Sequence, residues 1–154
     1  MLSLCTVVKV TSGYEFCPSG DPQVELMASL GDDYENVISY KEANLFGFVF
    51  IKPILADINS IKLVDFEGTP ERKLNQAITY LKRYSYVESQ ADPTKLDQLE
   101  SGNCQAISLA LKAIMLHNGV SAGTVYGEDH MYNWVQIDGS RYLVDVVNGY
   151  MKEG

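Results

Sequence analysis

Basic residues are scarce in this chain. Twelve lysines and arginines stand against 20 aspartates and glutamates, for a net charge of −8. Such a surface repels a phosphate backbone, and no local basic cluster offsets it, so no nucleic-acid partner is expected. The same deficit disfavours an anionic membrane. No apolar run reaches the about 18 residues that a spanning helix needs. The opening stretch, MLSLCTVVKVTSGYEF, has no basic leading segment and is interrupted by Lys9, so it does not read as a signal peptide. The expectation is a cytoplasmic chain with reduced thiols.

Histidine and cysteine are also few, two and three respectively, and they are scattered. That spacing builds no metal site, and the glycines form no phosphate-binding loop. Neither a metal nor a cofactor is expected. With 46% hydrophobic and 21% charged residues, the 154-residue composition is that of one ordinary globular domain.

Periodicity gives an alternation of strands and helices. Leu4–Val10 is β-branched and reads as a strand, and Cys17–Pro22 as a turn. Val24–Leu45 has no clear period. Phe46–Ile58 reads as a buried strand that ends around Pro53, and Ser60–Phe66 alternates like another. Thr69 and Pro70 open a helix carrying Leu74, Ala77, Ile78 and Leu81 on one stripe. Ser89–Gly102 reads as a polar surface loop with a short helical turn around Lys95–Leu99. A second helix runs from Cys104 to about His117 and ends at Asn118-Gly119. Its apolar residues surround it and Lys112 is its only charge, so it belongs at the centre of the fold. Three strands close the chain, SAGTVYG, HMYNWVQI and SRYLVDVV, the last two joined by the hairpin signal Asp138-Gly139.

Three residues in these elements suggest chemistry. Cys104 lies at a helix N-terminus, where the dipole and unpaired N–H groups favour a thiolate; the plain alternative is a cysteine that only packs. A two-residue turn at Asp138-Gly139 sets Tyr132 opposite Asp145 and His130 opposite Val147. His130 and Asp145 then become diagonal neighbours on one face, about 7–8 Å apart at the backbone. A four-residue turn keeps that parity, whereas a three-residue loop would split the pair. Asp145 sits in an apolar strand, where an unpartnered charge is costly. Cys104 as nucleophile, His130 as base and Asp145 as its orienting acid would form a thiol acyl-transfer triad, with the Cys104 N–H as half an oxyanion hole.

The residues around these three follow a known pattern: G-N-C-Q-A-x₄-L, then G-V-x₄-V-x-G, then H-M-Y-N-W-V-x-x-D-G-S-R-Y-L-V-D-V. This resembles the transglutaminase-like, papain-like cysteine superfamily. Gly102, Cys104, Gly119, Val120, Gly127, His130, Asn133, Val135, Gly139, Tyr142 and Asp145 occupy matching places. Tyr132 and Arg141 stand where that superfamily most often has tryptophan. The resemblance implies an α+β fold, with a central helix bearing the cysteine packed on an antiparallel sheet bearing the histidine and aspartate. It places that core at residues 69–150 of a single domain, with residues 1–68 as further strands. It also implies a second oxyanion donor upstream, for which Gln90 is the candidate.

The expected activity is hydrolysis or acyl transfer at amide bonds of a peptide or protein substrate. Protein cross-linking or glutamine deamidation would use the same triad, and a non-catalytic binding domain could share the fold. Acidic residues near the site (Glu88, Asp92, Asp97, Glu100, Glu128 and Asp129) read as a solvated rim, or else as a preference for basic or neutral substrates. His117 is expected to interact with the helix C-terminus.

Overall fold

A computed structural model of the chain describes residues 14–127 and 129–154. It is a mixed α+β structure, divided between Leu55 and Ala56 into two units. The strand expected at residues 4–10 lies outside the described residues.

In the first unit Asp21 caps helix α1 (Pro22–Leu30), its carboxylate accepting from the N–H groups of Gln23 and Val24. A 3₁₀ segment, Gly31–Asn36, leads into an antiparallel hairpin of β2 (Val37–Leu45) and β3 (Phe48–Leu55). The two residues between them, Phe46 and Gly47, both have positive φ, as a tight hairpin turn requires. The short β1 (Glu15–Phe16) pairs the other edge of β3. Cys17, Leu26 and Ile51 are buried together beneath this sheet. The strand expected to stop at Pro53 continues to Leu55. Pro53 falls beyond the part of β3 that β1 pairs, where among the described residues β2 is the ladder partner.

In the second unit Thr69 accepts the Arg72 N–H and opens helix α2 (Pro70–Leu81), which buries Leu74, Ala77 and Leu81. Helix α3 (Cys104–His117) begins where the Asn103 side chain accepts the Ala106 N–H at 3.0 Å. It is buried almost all round, from Ala106 through Leu111 and again at Ile114 and Met115. Helix α3 packs on a four-stranded antiparallel sheet in the order β6 (Ala122–Gly127), β7 (His130–Ile137), β8 (Ser140–Asp145) and β9 (Tyr150–Glu153), and α2 packs on α3 within the same core. The β7–β8 turn has the expected form: Asp138 and Gly139 both have positive φ, and Ile137 faces Ser140. Strand β9 was not foreseen; it pairs Tyr150 with Asp145.

Ser60–Phe66 is not the strand its alternation suggests. A 3₁₀ turn covers Ile58–Ser60, and the rest is extended without a ladder partner among the described residues. The Asn118 side chain stands in for that partner. It accepts from Phe66 N–H and donates to the carbonyls of Val64 and Ile114, each at 2.8 Å. The alternation records Ile61, buried in the core between polar neighbours, and not a sheet.

The acidic stretch before α3 is tied down. It holds a 3₁₀ turn at Pro93–Lys95 and a single helical turn at Leu96–Leu99. The Tyr84 hydroxyl donates to Asp97, and Lys62 pairs with the same carboxylate at 2.9 Å. Among the described residues no helix is long and apolar enough to cross a membrane.

The hydrogen bond from Tyr84, and then that from Lys62, hold the Asp97 carboxyl below its usual range. A folded value below the unfolded one gives stability that is full above the unfolded value of about 3.9 and is lost as pH falls through the folded value. The melting-temperature gap between the wild type and Asp97→Asn should therefore be widest near neutrality and close in acid. A gap independent of pH would remove the carboxylate as its source.

Candidate functional site

Strand pairing sets the histidine against the acid. His130 is the first residue of β7 and Asp145 the last of β8, offset along the ladder as the two-residue turn dictates. His130 Nε2 and Asp145 Oδ2 are 2.6 Å apart. Asp145 is buried, and its carboxylate is further satisfied by Asn148, whose backbone N–H donates to Oδ1 at 3.1 Å and whose side-chain amide donates to Oδ2 at 3.0 Å. With Nε2 engaged by the acid, Nδ1 is the ring nitrogen left to exchange a proton. The imidazole also stacks on Tyr132, with ring centroids 6.1 Å apart.

A buried bridge ties α3 to β7. Asn133 is almost wholly buried, and its side-chain amide donates to the carbonyls of Ser108 and Gly123, each at 2.9 Å. Ser108 Oγ returns a hydrogen bond to the Met131 carbonyl at 3.0 Å. Cys104 lies one helical turn before Ser108, about 6 Å along the axis, and His130 one residue before Met131. The Cys104 thiol is free and half-buried, and no hydrogen bond joins its Sγ to the His130–Asp145 pair. Thus the histidine and aspartate are joined directly, and the helix that begins at Cys104 is tied to the strand that begins at His130.

The approach to Cys104 is built as tightly. A Cβ on Gly102 would lie 2.5 Å from Leu96 Cδ2 and 3.0 Å from Ala106 Cβ, so only glycine lets the chain pass this close to the helix start. Gln90, the candidate second oxyanion donor, does not have that role. Its side-chain amide donates to the carbonyls of Asp92 and Ser101, each at 2.9 Å, and its backbone carbonyl accepts Asn103 N–H at 2.7 Å. Both amide protons are spent, one on the strand that leads into Cys104 and one on Gln90's own loop. A cavity of about 100 Å³ opens nearby, lined by Leu81, Ile107, Val146 and Val147, with Tyr86 and Gly102 on its wall.

Two residues of the site carried no signal in the sequence. Asn148 lies just past the strand that ends at Asp145, in a turn whose polar residue looked ordinary. Tyr86 lies in the two-residue strand β4 (Ser85–Tyr86), which pairs in parallel with β5 (Ser101–Gly102) and sets Tyr86 opposite Gly102. Its hydroxyl donates to Glu88 Oε2 at 2.7 Å, and the backbone of Cys104 is among its electrostatic neighbours. The hydrogen bond to Glu88, followed by burial, pushes the phenol up to about 12.

Three of the acidic residues around the site have structural partners. Glu88 accepts from Tyr86, Asp92 from Thr94, and Asp97 from Tyr84 and Lys62. His117, in the last turn of α3, reaches Asp65 at 2.6 Å. Among the described residues no group of three histidine, cysteine or acidic side chains is placed to hold a metal ion. No protein-family model matches the chain, and no curated protein matches its sequence.

Gln90→Ala removes the anchor of two backbone carbonyls, one of them buried, and should lower stability in urea by about 2 kcal/mol. A loss below about 0.5 kcal/mol would show that the strand before Cys104 is held by other means.

Proposed function

We propose that residues 56–154 form a thiol-dependent hydrolase or acyltransferase of the transglutaminase-like, papain-like type, acting on amide bonds of peptides or proteins. The observation that carries this reading is the 2.6 Å His130–Asp145 pair at the end of the sheet bridged to the Cys104 helix. A buried aspartate with three hydrogen bonds holds one ring nitrogen and leaves the other for proton transfer, as an acyl-transfer base requires. The motif around the three residues supports the same reading.

In the proposed reaction His130 takes the thiol proton as Cys104 Sγ attacks the amide carbon. The C–S bond forms, and the carbonyl electrons move to oxygen opposite the Cys104 N–H. The tetrahedral intermediate then collapses: the C–N bond breaks, and His130 returns the proton to the leaving amine. Water, deprotonated by His130, cleaves the thioester and regenerates the thiol. Hydrolysis is the default outcome because water is always present, whereas cross-linking would need a bound acceptor amine.

Alkylation by iodoacetamide, resolved cysteine by cysteine through mass spectrometry, tests the pairing. At mildly acidic pH, Cys104 should react at least about tenfold more slowly in His130→Ala than in the wild type. Buried Cys17 should be slow in both. Equal Cys104 rates would mean that the histidine does not serve the thiol.

A further inference from the structure

Tyr86 lies on the strand paired with the chain that leads into Cys104. Strand pairing sets Tyr86 beside Gly102, two residues before Cys104, and Val87 N–H donates to the Gly102 carbonyl at 3.2 Å. The Asn103 side chain donates to the Glu88 carbonyl at 2.9 Å, so residues 86–88 are fastened along the chain that enters α3. Within this frame the phenol donates its proton to Glu88 Oε2, and the backbone of Cys104 is among the groups that act on it. One N–H alone is half a hole, and Gln90 has no proton to give.

We propose that Tyr86 is the second oxyanion donor and therefore a catalytic residue of the proposed acyl transfer. This inference rests on that reading and adds to it a group the sequence did not reveal. When a carbonyl oxygen enters beside the Cys104 N–H, rotation about the Cζ–Oη bond turns the phenol proton from Glu88 onto the oxygen. The phenol remains protonated throughout and stabilises the charge by hydrogen bonding, without net proton transfer. Its high affinity for its proton suits that role. The ring is about half exposed, which leaves the hydroxyl accessible to a substrate.

Two reactions of the same thiol separate this role from a structural one. Acetylation by p-nitrophenyl acetate passes through an oxyanion: Sγ bonds to the carbonyl carbon, the C–O bond breaks, p-nitrophenolate leaves, and the thiol proton goes to His130. Alkylation by iodoacetamide displaces iodide at a saturated carbon and forms no oxyanion. Tyr86→Phe should slow acetylation of Cys104 by about a hundredfold and leave its alkylation rate unchanged. Unchanged acetylation overturns the proposal. Faster acetylation also overturns it, by making the phenol a cover over the site. A parallel fall in both rates overturns it too, because the ring would then only support the fold. If the wild type is not acetylated at Cys104, or is acetylated equally well in His130→Ala, the enzymatic reading itself falls.

Discussion

The site depends on one buried amide. Asn133 sits in the middle of β7 and spends its two side-chain protons on a helix carbonyl and on a carbonyl of the neighbouring strand. An unpaired amide at that depth would cost on the order of a few kcal/mol, so helix and sheet cannot slide without losing those bonds. The Ser108 hydroxyl adds a bond in the opposite sense, to Met131. Together they fix the height of α3 along β7, and with it the separation of the first residue of one from the first residue of the other. Those first residues are Cys104 and His130.

Around that bridge the chain commits backbone and side-chain groups to holding the helix start. Gln90 clamps the incoming strand, Gly102 allows close passage under Leu96, and Asn103 caps the helix. Asp145 is buried at the end of β8 and is satisfied by His130 and Asn148, which makes a charge in an apolar strand tolerable. Each of these groups is a rigid support for a side chain that would have to meet a substrate within a few tenths of an ångström. The aspartate and histidine are thus held by the sheet, the cysteine by the helix, and the two by Asn133.

What the sequence made legible was whatever depends on local rules. Thr69-Pro70 and Asn118-Gly119 marked helix ends because capping chemistry is local, and Asp138-Gly139 fixed a register because a two-residue turn leaves no other parity. From that register the His130–Asp145 pair followed by counting. The residues that were missed owe their roles to distant partners. Ser60–Phe66 alternates like a strand, but Asn118 satisfies its backbone from more than 50 positions away. Gln90 had the right chemistry for an oxyanion donor and the wrong partners. Tyr86 matters only through a ladder of two residues, too short to leave a period.

In the proposed reaction Cys104 forms a covalent acyl intermediate with His130 as its base. The most direct test is to mix the protein with a complex peptide digest, quench in acid and map acyl thioesters by their sensitivity to hydroxylamine. Peptide-derived acyl groups are expected on Cys104 of the wild type and none on that residue in His130→Ala. Adducts absent from Cys104, or equally abundant without the histidine, would contradict that reaction.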